Sequence, residues 1–156
     1  MSSPPPPGTD NRRAVLRAVV FEVLKAQRSL AKLHNGDMFA LMVFTTIWSA
    51  NGEHLIGDPR YAGLRDIAPD STITPITDDQ LQRALGAPRD MVDRYVKAFL
   101  EDGWIERVPG GLAAPRAVFT SPEMMDAANE VYDRIIGLVS ALRLGGFGLG
   151  EEPTLS

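Results

Sequence analysis

Two closely spaced helix signals constrain the fold of this chain more than any other feature of its sequence. Thr77 with Gln80 three residues later is a capping box, which predicts that a helix begins there and runs to Leu85. The residues Gly86-Ala87-Pro88 predict a tight turn, because glycine adopts left-handed backbone and proline cannot continue a helix. A second helix is predicted from about Arg89 to Asp102. Two short helices joined by such a turn are typical of a helix-turn-helix.

A strand, a glycine turn and a returning strand are predicted after this pair of helices. Gly103 ends the second helix, and residues 104–108 alternate between apolar and polar side chains. Pro109-Gly110-Gly111 predicts a turn, and residues 116–119 are predicted to form the returning strand. The order helix, turn, helix, hairpin predicts a mainly α fold with a small β-wing.

Long helices are predicted on both sides of this segment. Apolar residues recur at helical spacing from about Asn11 to Leu33 and again in residues 121–144. Asp37 is predicted to cap a helix that is apolar nearly all round and ends at Asn51-Gly52, so this helix should be the buried central one. We predict five segments, namely a disordered Pro-rich arm (1–10), N-terminal helices with a long loop (11–75), the helix-turn-helix with its wing (76–120), a C-terminal helix (121–144) and a flexible tail (145–156).

Composition excludes several classes of protein. The 156-residue chain has no cysteine, which removes disulfide frameworks, thiol catalysis and Cys-ligated metal sites. No apolar run reaches the roughly 18 residues that a membrane helix needs, and the Pro-rich start is not a signal peptide, so we expect a cytoplasmic protein with no membrane partner. The formal net charge of −4 argues against nonspecific nucleic-acid binding by bulk charge.

No group of residues points to catalysis or to a cofactor. His34 and His54 are the only histidines, and no three-ligand metal spacing surrounds them, although Asp37 and Glu53 lie near them in sequence. The glycine-rich stretch 145–150 is not a phosphate loop, because no Lys-Ser/Thr follows it and no strand precedes it. We therefore expect no enzyme, no cofactor and no metal.

The predicted helix-turn-helix resembles the winged helix-turn-helix transcriptional regulators of bacteria, particularly MarR-like ones. The matching residues are ITDDQLQRALGAPRDMVDRYVKAFLEDGWIERVPGG at 76–111 and RAVFTSPE at 116–123. Within them, FLEDGWI at 99–105 occupies the place of the Leu-x-x-x-Gly-Leu-Ile junction between recognition helix and wing. The resemblance covers about a third of the chain, and the flanking helices match only in position. It implies a winged helix-turn-helix flanked by long N- and C-terminal helices.

The resemblance also implies a function and a set of DNA-binding residues. Residues 78–85 would be the supporting helix and residues 89–102 the recognition helix. The implied DNA-binding side chains are Arg89, Met91, Arg94 and Lys97 on the recognition helix and Arg107 and Arg116 beside the wing. Arginine binds guanine edges or phosphate, and lysine binds phosphate. The implied function is a transcriptional regulator that binds double-stranded DNA.

The charge distribution keeps a second function open. Residues 76–120 hold six Arg and Lys against seven Asp and Glu, and the turn 109–115 has no charged residue. Asp90 and Asp93 lie on or beside the recognition face, where phosphates would repel them. Residues 8–36, in contrast, hold six basic residues against two acidic ones. Because winged helices also bind proteins, the alternative is a protein-interaction module that does not bind DNA.

The sequence also bears on the oligomeric state of the protein and on a small-molecule effector. The apolar stripes of the helices at 11–33 and 123–142 exceed what one small domain buries, which predicts a homodimer through these helices. Regulators of the resembling type often need an effector site. Trp48, Tyr61 and the loop 51–75 could line such a site or simply pack in the core, so a small-molecule effector stays open as a partner.

Overall fold

The computed structural model describes residues 10–148 as mainly helical with one small antiparallel sheet. The helices are Arg12–Ala31 (α1), Met38–Gly52 (α2), Asp78–Leu85 (α3), Arg89–Glu101 (α4), Arg116–Phe119 (α5) and Pro122–Leu144 (α6), and the strands are Glu106–Val108 (β1) and Gly111–Ala113 (β2). Short 3-10 turns lie at Lys32–His34, Glu53–Leu55, Pro59–Tyr61 and Asp70–Thr72. The prediction of a mainly α fold with a small sheet is confirmed. The predicted Pro-rich arm and the end of the predicted tail lie outside the described residues.

The junction between α1 and α2 follows the predicted signals. Asn35 and Gly36 adopt left-handed backbone, with φ of 54° and 79°, and this reverses the chain after α1. The Asp37 carboxylate then accepts hydrogen bonds from the backbone N–H groups of Phe39 and Ala40, both at 3.0 Å. These bonds satisfy two otherwise free donors in the first turn of α2, which fixes its start.

The turn between α3 and α4 is also set by local signals. The Thr77 hydroxyl accepts a hydrogen bond from the Gln80 N–H at 3.1 Å, and the Gln80 side chain accepts one from the Thr77 N–H at 3.0 Å. Gly86 ends α3 in left-handed backbone with φ of 62°. The predicted capping box and glycine stop are confirmed.

The hairpin closes earlier than predicted, and the prediction of a strand at residues 116–119 is wrong. β1 pairs with β2 over Gly111–Ala113, and residues 116–119 form helix α5 instead. Leu112 also exchanges backbone hydrogen bonds with Ile76, which leads into α3. A short apolar run such as 116–119 suits a strand or a helix equally well, and Pro115 favours the helix because its fixed φ fits the residue before a helix.

The core lies where α2 meets α3, α4 and the hairpin. Its most buried side chains are Val43, Phe44 and Ile47 of α2, Leu81 of α3, Val92, Val96 and Phe99 of α4, and Ile105 and Leu112 around the hairpin. The predicted burial of the inner face of α4 against α3 and the central helix is confirmed. Helix α4 therefore has one face that is buried in the core and one face that is exposed to solvent.

Asn51 ties α2 to the hairpin by hydrogen bonds. Its amide donates to the carbonyls of Thr74 at 2.9 Å and Leu112 at 3.1 Å, and its side-chain oxygen accepts from the Ala114 N–H at 2.8 Å. The sequence suggested Asn51 only as a helix terminator, whereas it lies buried within the last turn of α2.

Helices α1 and α6 pack against each other in antiparallel orientation, and we call this pair the helical arm. Near one end the Ser29 hydroxyl donates to the Glu130 carboxylate at 2.9 Å. Near the other end the Asn11 amide donates to the Gly145 carbonyl at 3.0 Å. Large apolar side chains on both helices remain exposed, namely Leu16, Val20, Phe21, Val23, Leu24, Tyr132, Ile135, Ile136 and Leu144.

Candidate nucleic-acid interface and apolar cavity

Arg89 begins helix α4 and bridges it to α3 and to its own next turn. Its guanidinium lies 2.6 Å from Asp79 of α3 and 3.0 Å from Asp93, one turn further along α4. The hydrogen bond that Arg89 donates to Asp79, followed by the one that it donates to Asp93, raises the pKa of Arg89. The charge of this predicted DNA-binding residue is therefore already balanced by two carboxylates of the same chain.

Arg107 of β1 makes a similar contact with the N-terminus of α3. Both of its terminal nitrogens donate to the two oxygens of Asp78, at 2.9 and 3.0 Å. This hydrogen-bonded pair lowers the pKa of Asp78, with the Arg107 hydrogen bond as the main cause. The bidentate geometry fixes the hairpin beside α3 and supplies the orientation that such a pair favours.

The other predicted DNA-binding residues of α4 differ in their exposure and in their ion pairs. Arg94 is exposed and forms no ion pair within residues 10–148. Lys97 lies 3.9 Å from Glu101, at the outer limit of an ion pair, and both side chains are largely exposed. Met91 is half-buried. Arg94 and Lys97 are thus the cations of α4 that a ligand could reach most directly.

The carboxylates near the outer face of α4 weaken anion binding there but do not prevent it. Asp79, Asp93 and Glu101 are paired with basic residues at separations of 2.6 to 3.9 Å. Exposed ion pairs contribute about 0–1 kcal/mol to stability, so phosphates can compete with these carboxylates for the same cationic side chains. Asp90 is exposed with no basic partner among the described residues and adds a repulsive charge near the start of α4.

Arg116 lies three residues after β2, as the first residue of α5. Its backbone N–H donates to the Asp70 carboxylate at 2.7 Å, which anchors the start of α5 to the loop before α3. Arg116 belongs to neither strand of the hairpin, and it is exposed and lines an apolar cavity. Of the six predicted DNA-binding residues, the structure puts five on α4 or the hairpin and this one at the cavity.

The cavity, of about 830 Å³, lies between α2, residues 55–73, α5 and α6. Trp48 and Tyr61, which the sequence suggested for such a site, both line it. Aliphatic side chains form most of the remaining wall, including Leu30, Leu33, Leu55, Ile67, Ile73 and Ile135. A cavity of 300–1,000 Å³ with apolar walls is typical of small-molecule sites.

His34 lies at the inner side of this cavity, at the joint between the helical arm and the core. Its ring packs against Phe44, Phe99 and Trp104, with centroids 5.6, 5.4 and 4.9 Å away. Its buried Nε2 finds no hydrogen-bond partner among the described residues. Burial lowers the pKa of His34, and the nearby charge of Asp37 only partly opposes this shift.

Tyr95 links α4 to the start of α2, a contact that the sequence did not reveal. Its hydroxyl donates to the Asp37 carboxylate at 2.7 Å. The N–H of Ala40, then Tyr95, lowers the pKa of Asp37, so this carboxylate stays charged while it caps α2. Spacing alone could suggest that Tyr95 flanks the inner stripe of α4, but a contact across 58 positions has no local sequence signal.

Searches for similar proteins return no match. No protein-family model, curated protein or solved structure matches the chain. Within the part of the chain that the structure describes, no helix combines the length and apolar character that crossing a membrane requires. The same part contains no cluster of three metal-ligating side chains.

Proposed function

We propose that this protein is a cytoplasmic DNA-binding transcriptional regulator that acts as a dimer through a winged helix-turn-helix. The observation that carries the proposal is the presentation of α4. Val92, Val96 and Phe99 anchor its inner face, while its outer face, with Arg94 and Lys97, is open to solvent. The tight turn after α3 and the hairpin after α4 leave that face clear, which suits insertion into a major groove.

The individual side chains have different roles in this proposal. Arg94 is the α4 arginine with no ion pair among the described residues, so it is the best placed to read a base edge. Lys97 would bind phosphate. Arg89 would exchange its carboxylate partners for phosphate oxygens at little cost, because its ion pairs are exposed. Arg107 would exchange less readily, because its pair with Asp78 is bidentate and the Asp78 side chain is only 25% exposed.

The helical arm supports the dimer. Its exposed apolar side chains on α1 and α6 supply a surface that a second copy of the chain can cover. A two-fold dimer would place one α4 on each half of a two-fold related DNA site, so that half-site spacing mirrors the protein symmetry.

Selection of bound sequences from random duplex DNA at low salt tests this function. We expect enrichment of a two-fold related site. Arg94→Ala should then cost about 1–3 kcal/mol of binding and relax the preference at one position. Lys97→Ala should weaken binding to all sequences alike and reduce the salt slope by about one unit. Arg65→Ala, at an exposed loop arginine outside α3, α4 and the hairpin, is the matched control and should change neither property.

The acidic residues of α4 give the converse test. Asp90→Asn and Asp93→Asn should each tighten nonspecific binding, because each removes a charge that repels phosphate. Asp93→Asn should have the additional effect of releasing one of the two partners of Arg89. Absence of any enriched sequence, together with unchanged weak binding in the Arg94, Lys97, Asp90 and Asp93 variants, would contradict the regulator proposal.

The second candidate is a winged-helix protein-interaction module that does not bind DNA. The internal ion pairs of Arg89 and Arg107 favour it, because they neutralise the cations that DNA would need. Failure of the DNA selection, with a folded dimer in solution, is the result that this candidate predicts.

A further inference from the structure

We propose that the cavity between α2, residues 55–73, α5 and α6 binds an aliphatic monocarboxylate, with the hydrocarbon chain inside the cavity and the carboxylate paired with Arg116. This site is separate from the outer face of α4, and its occupancy can be measured without DNA. The proposal rests on the composition of the wall, on the hydrogen bonds of its polar groups and on the state of Arg116.

The walls favour a long apolar chain over a compact polar ligand. The volume of about 830 Å³ is at the upper end of the usual range for small-molecule sites. Leucine, isoleucine and methionine are the most numerous large side chains of the wall, and aromatic rings also contribute, among them Trp48, which lies against Phe119 with ring centroids 5.9 Å apart. Flexible aliphatic walls accommodate an acyl chain along their whole length.

Several polar groups of the wall are already hydrogen-bonded within the chain or are packed among rings, while others, including Asn129 and Tyr132, line it as exposed side chains. Asn51 is hydrogen-bonded to three backbone groups. The hydroxyl of Thr45 donates to the Leu41 carbonyl at 2.7 Å. The Asp66 carboxylate accepts from the Gly63 N–H at 3.0 Å. His34 is packed among aromatic rings, where burial holds its pKa down. A ligand with many polar groups would therefore lose hydrogen bonds to water without replacement.

Arg116 is the exception in this wall. It lines the cavity and is exposed, and its side chain forms no ion pair within the described residues. Asp70 accepts its backbone N–H at 2.7 Å, which fixes the start of α5. A guanidinium at the edge of an apolar cavity favours a carboxylate, because the two planar groups pair bidentately. The positive charge of Arg116 thus favours an anionic head beside it over a neutral one, whereas the Asp66 carboxylate, which also lines the cavity, would repel an anion placed beside Asp66.

Titration of the full-length protein with octanoate, decanoate and dodecanoate below their micellar concentrations tests the proposal. Calorimetry and tryptophan fluorescence should both report saturable binding, since Trp48 lines the cavity. Affinity should rise about three- to fourfold for each added methylene. Decanoate should bind at least tenfold more tightly than decanol, because only the acid pairs with Arg116.

Three variants assign the binding to the cavity and to Arg116. Arg116→Gln should remove the preference for decanoate over decanol, whereas Arg65→Gln, at an exposed arginine of residues 55–73 whose own side chain does not line the cavity, should retain it. Ala128→Phe places a ring in the cavity and should abolish binding of both compounds. Val20→Glu on the exposed face of the helical arm should leave binding unchanged and so exclude adsorption to that surface.

Several outcomes would overturn the proposal. Absence of saturable binding by every acid would refute the site. Equal affinity for acid and alcohol in the unmodified protein, or equal losses in Arg116→Gln and Arg65→Gln, would refute the role of Arg116. Circular dichroism of Arg116→Gln and Ala128→Phe must show folded protein, and retained binding in folded Ala128→Phe would place the ligand elsewhere. A failed DNA selection would leave this result unaffected, so the two proposals can fail separately.

Discussion

The core around α4 and the helical arm use apolar residues in opposite ways. Leu81 and Val92 in the core are 0% and 1% exposed, whereas Val20 and Phe21 on the arm are 62% and 63% exposed. The core closes on itself within one chain. The arm has the same kind of side chains but leaves many of them facing solvent, and these form the surface that the proposed dimer would cover.

The starts of α3 and α1 also differ. Helix α3 begins at a complete capping box formed by Thr77 and Gln80. The residue before α1 is Asn11, whose side chain makes no capping hydrogen bond and instead donates to the Gly145 carbonyl of the arm. A local signal therefore fixes the start of α3, while a contact between the two arm helices holds the start of α1. Substitutions at Phe99, Phe21, His34 and Thr77 test the difference between the core and the arm.

Phe99→Ala should have the largest effect. Phe99 packs against Phe44, Trp104 and His34 in the core, and truncating it should lower the free energy of unfolding by about 3–5 kcal/mol. Phe21→Ala is the matched control, because Phe21 is largely exposed within one chain. Urea unfolding at low protein concentration measures both. A small loss for Phe99→Ala would refute the assignment of α4 as a core-anchored helix.

Phe21→Glu should break the arm as an association surface. A carboxylate placed in an apolar interface must lose its water, and truncating a hot-spot residue of an interface costs about 2 kcal/mol or more. We expect dimer dissociation to become at least about 30-fold easier, measured by sedimentation equilibrium. Arg13→Gln, on the solvent-exposed start of α1, changes the net charge by the same amount and is the control. An unchanged dissociation constant for Phe21→Glu would exclude this face of α1 from the interface.

His34, at the joint between arm and core, should make stability depend on pH. Burial lowers its pKa below the ordinary value of 6.5, so below about pH 6.5 the unfolded chain binds more protons than the folded one. The contribution of neutral His34 to the free energy of unfolding is complete above pH 6.5. It is lost as pH falls from there towards the pKa of His34 in the folded protein, at up to about 1.4 kcal/mol per pH unit. In the unmodified protein, the urea concentration at the midpoint of unfolding should fall as the pH is lowered from 7.5 to 5.5.

The variants His34→Phe and His54→Gln separate this effect from general acid sensitivity. His34→Phe should flatten the pH dependence, because it removes the group that is buried in neutral form. His54 is exposed, and its substitution should leave the slope unchanged. An identical slope in the unmodified protein and in His34→Phe would show that His34 does not carry it.

Thr77→Ala should have the smallest effect of the four. It removes the hydroxyl that accepts the Gln80 N–H and should cost about 1 kcal/mol of stability. Ser71→Ala, at an exposed position in the loop before α3, should stay within about 0.5 kcal/mol. Thermal unfolding of both variants side by side resolves the difference, and equal melting temperatures would mean that the capping box does not stabilise α3.

The predictable parts of the fold are those with local chemical signals. The caps at Asp37 and Thr77, the glycine stop at Gly86 and the inner stripe of α4 each depend on residues within a few positions of one another. The hairpin is also local, since Val108 pairs with Gly111 across Pro109-Gly110, but Gly111-Leu112-Ala113 lacks the β-branched and aromatic residues that identify a strand in sequence. Residues 116–119 could be assigned to a strand or a helix until that pairing was known.

The candidate sites were harder to predict for the same reason. The sequence supplied Arg89 and Arg107 as cations, but their partners Asp79 and Asp78 lie 10 and 29 positions away. Helical periodicity places Asp93 one turn after Arg89, but it could not show the contacts of Arg89 with Asp79 and of Arg107 with Asp78. The position of Arg116 at the cavity likewise depends on how α5 meets the loop, which no short pattern encodes.

The molar mass of the protein, alone and with the duplex recovered by selection, tests the central claim most directly. Light scattering at micromolar concentration should give the mass of two chains without DNA, and two chains plus one duplex with it. Both values follow from an arm that pairs two copies and a core that presents one α4 from each. The mass of a single chain in both samples would contradict the dimer and the DNA-binding function together.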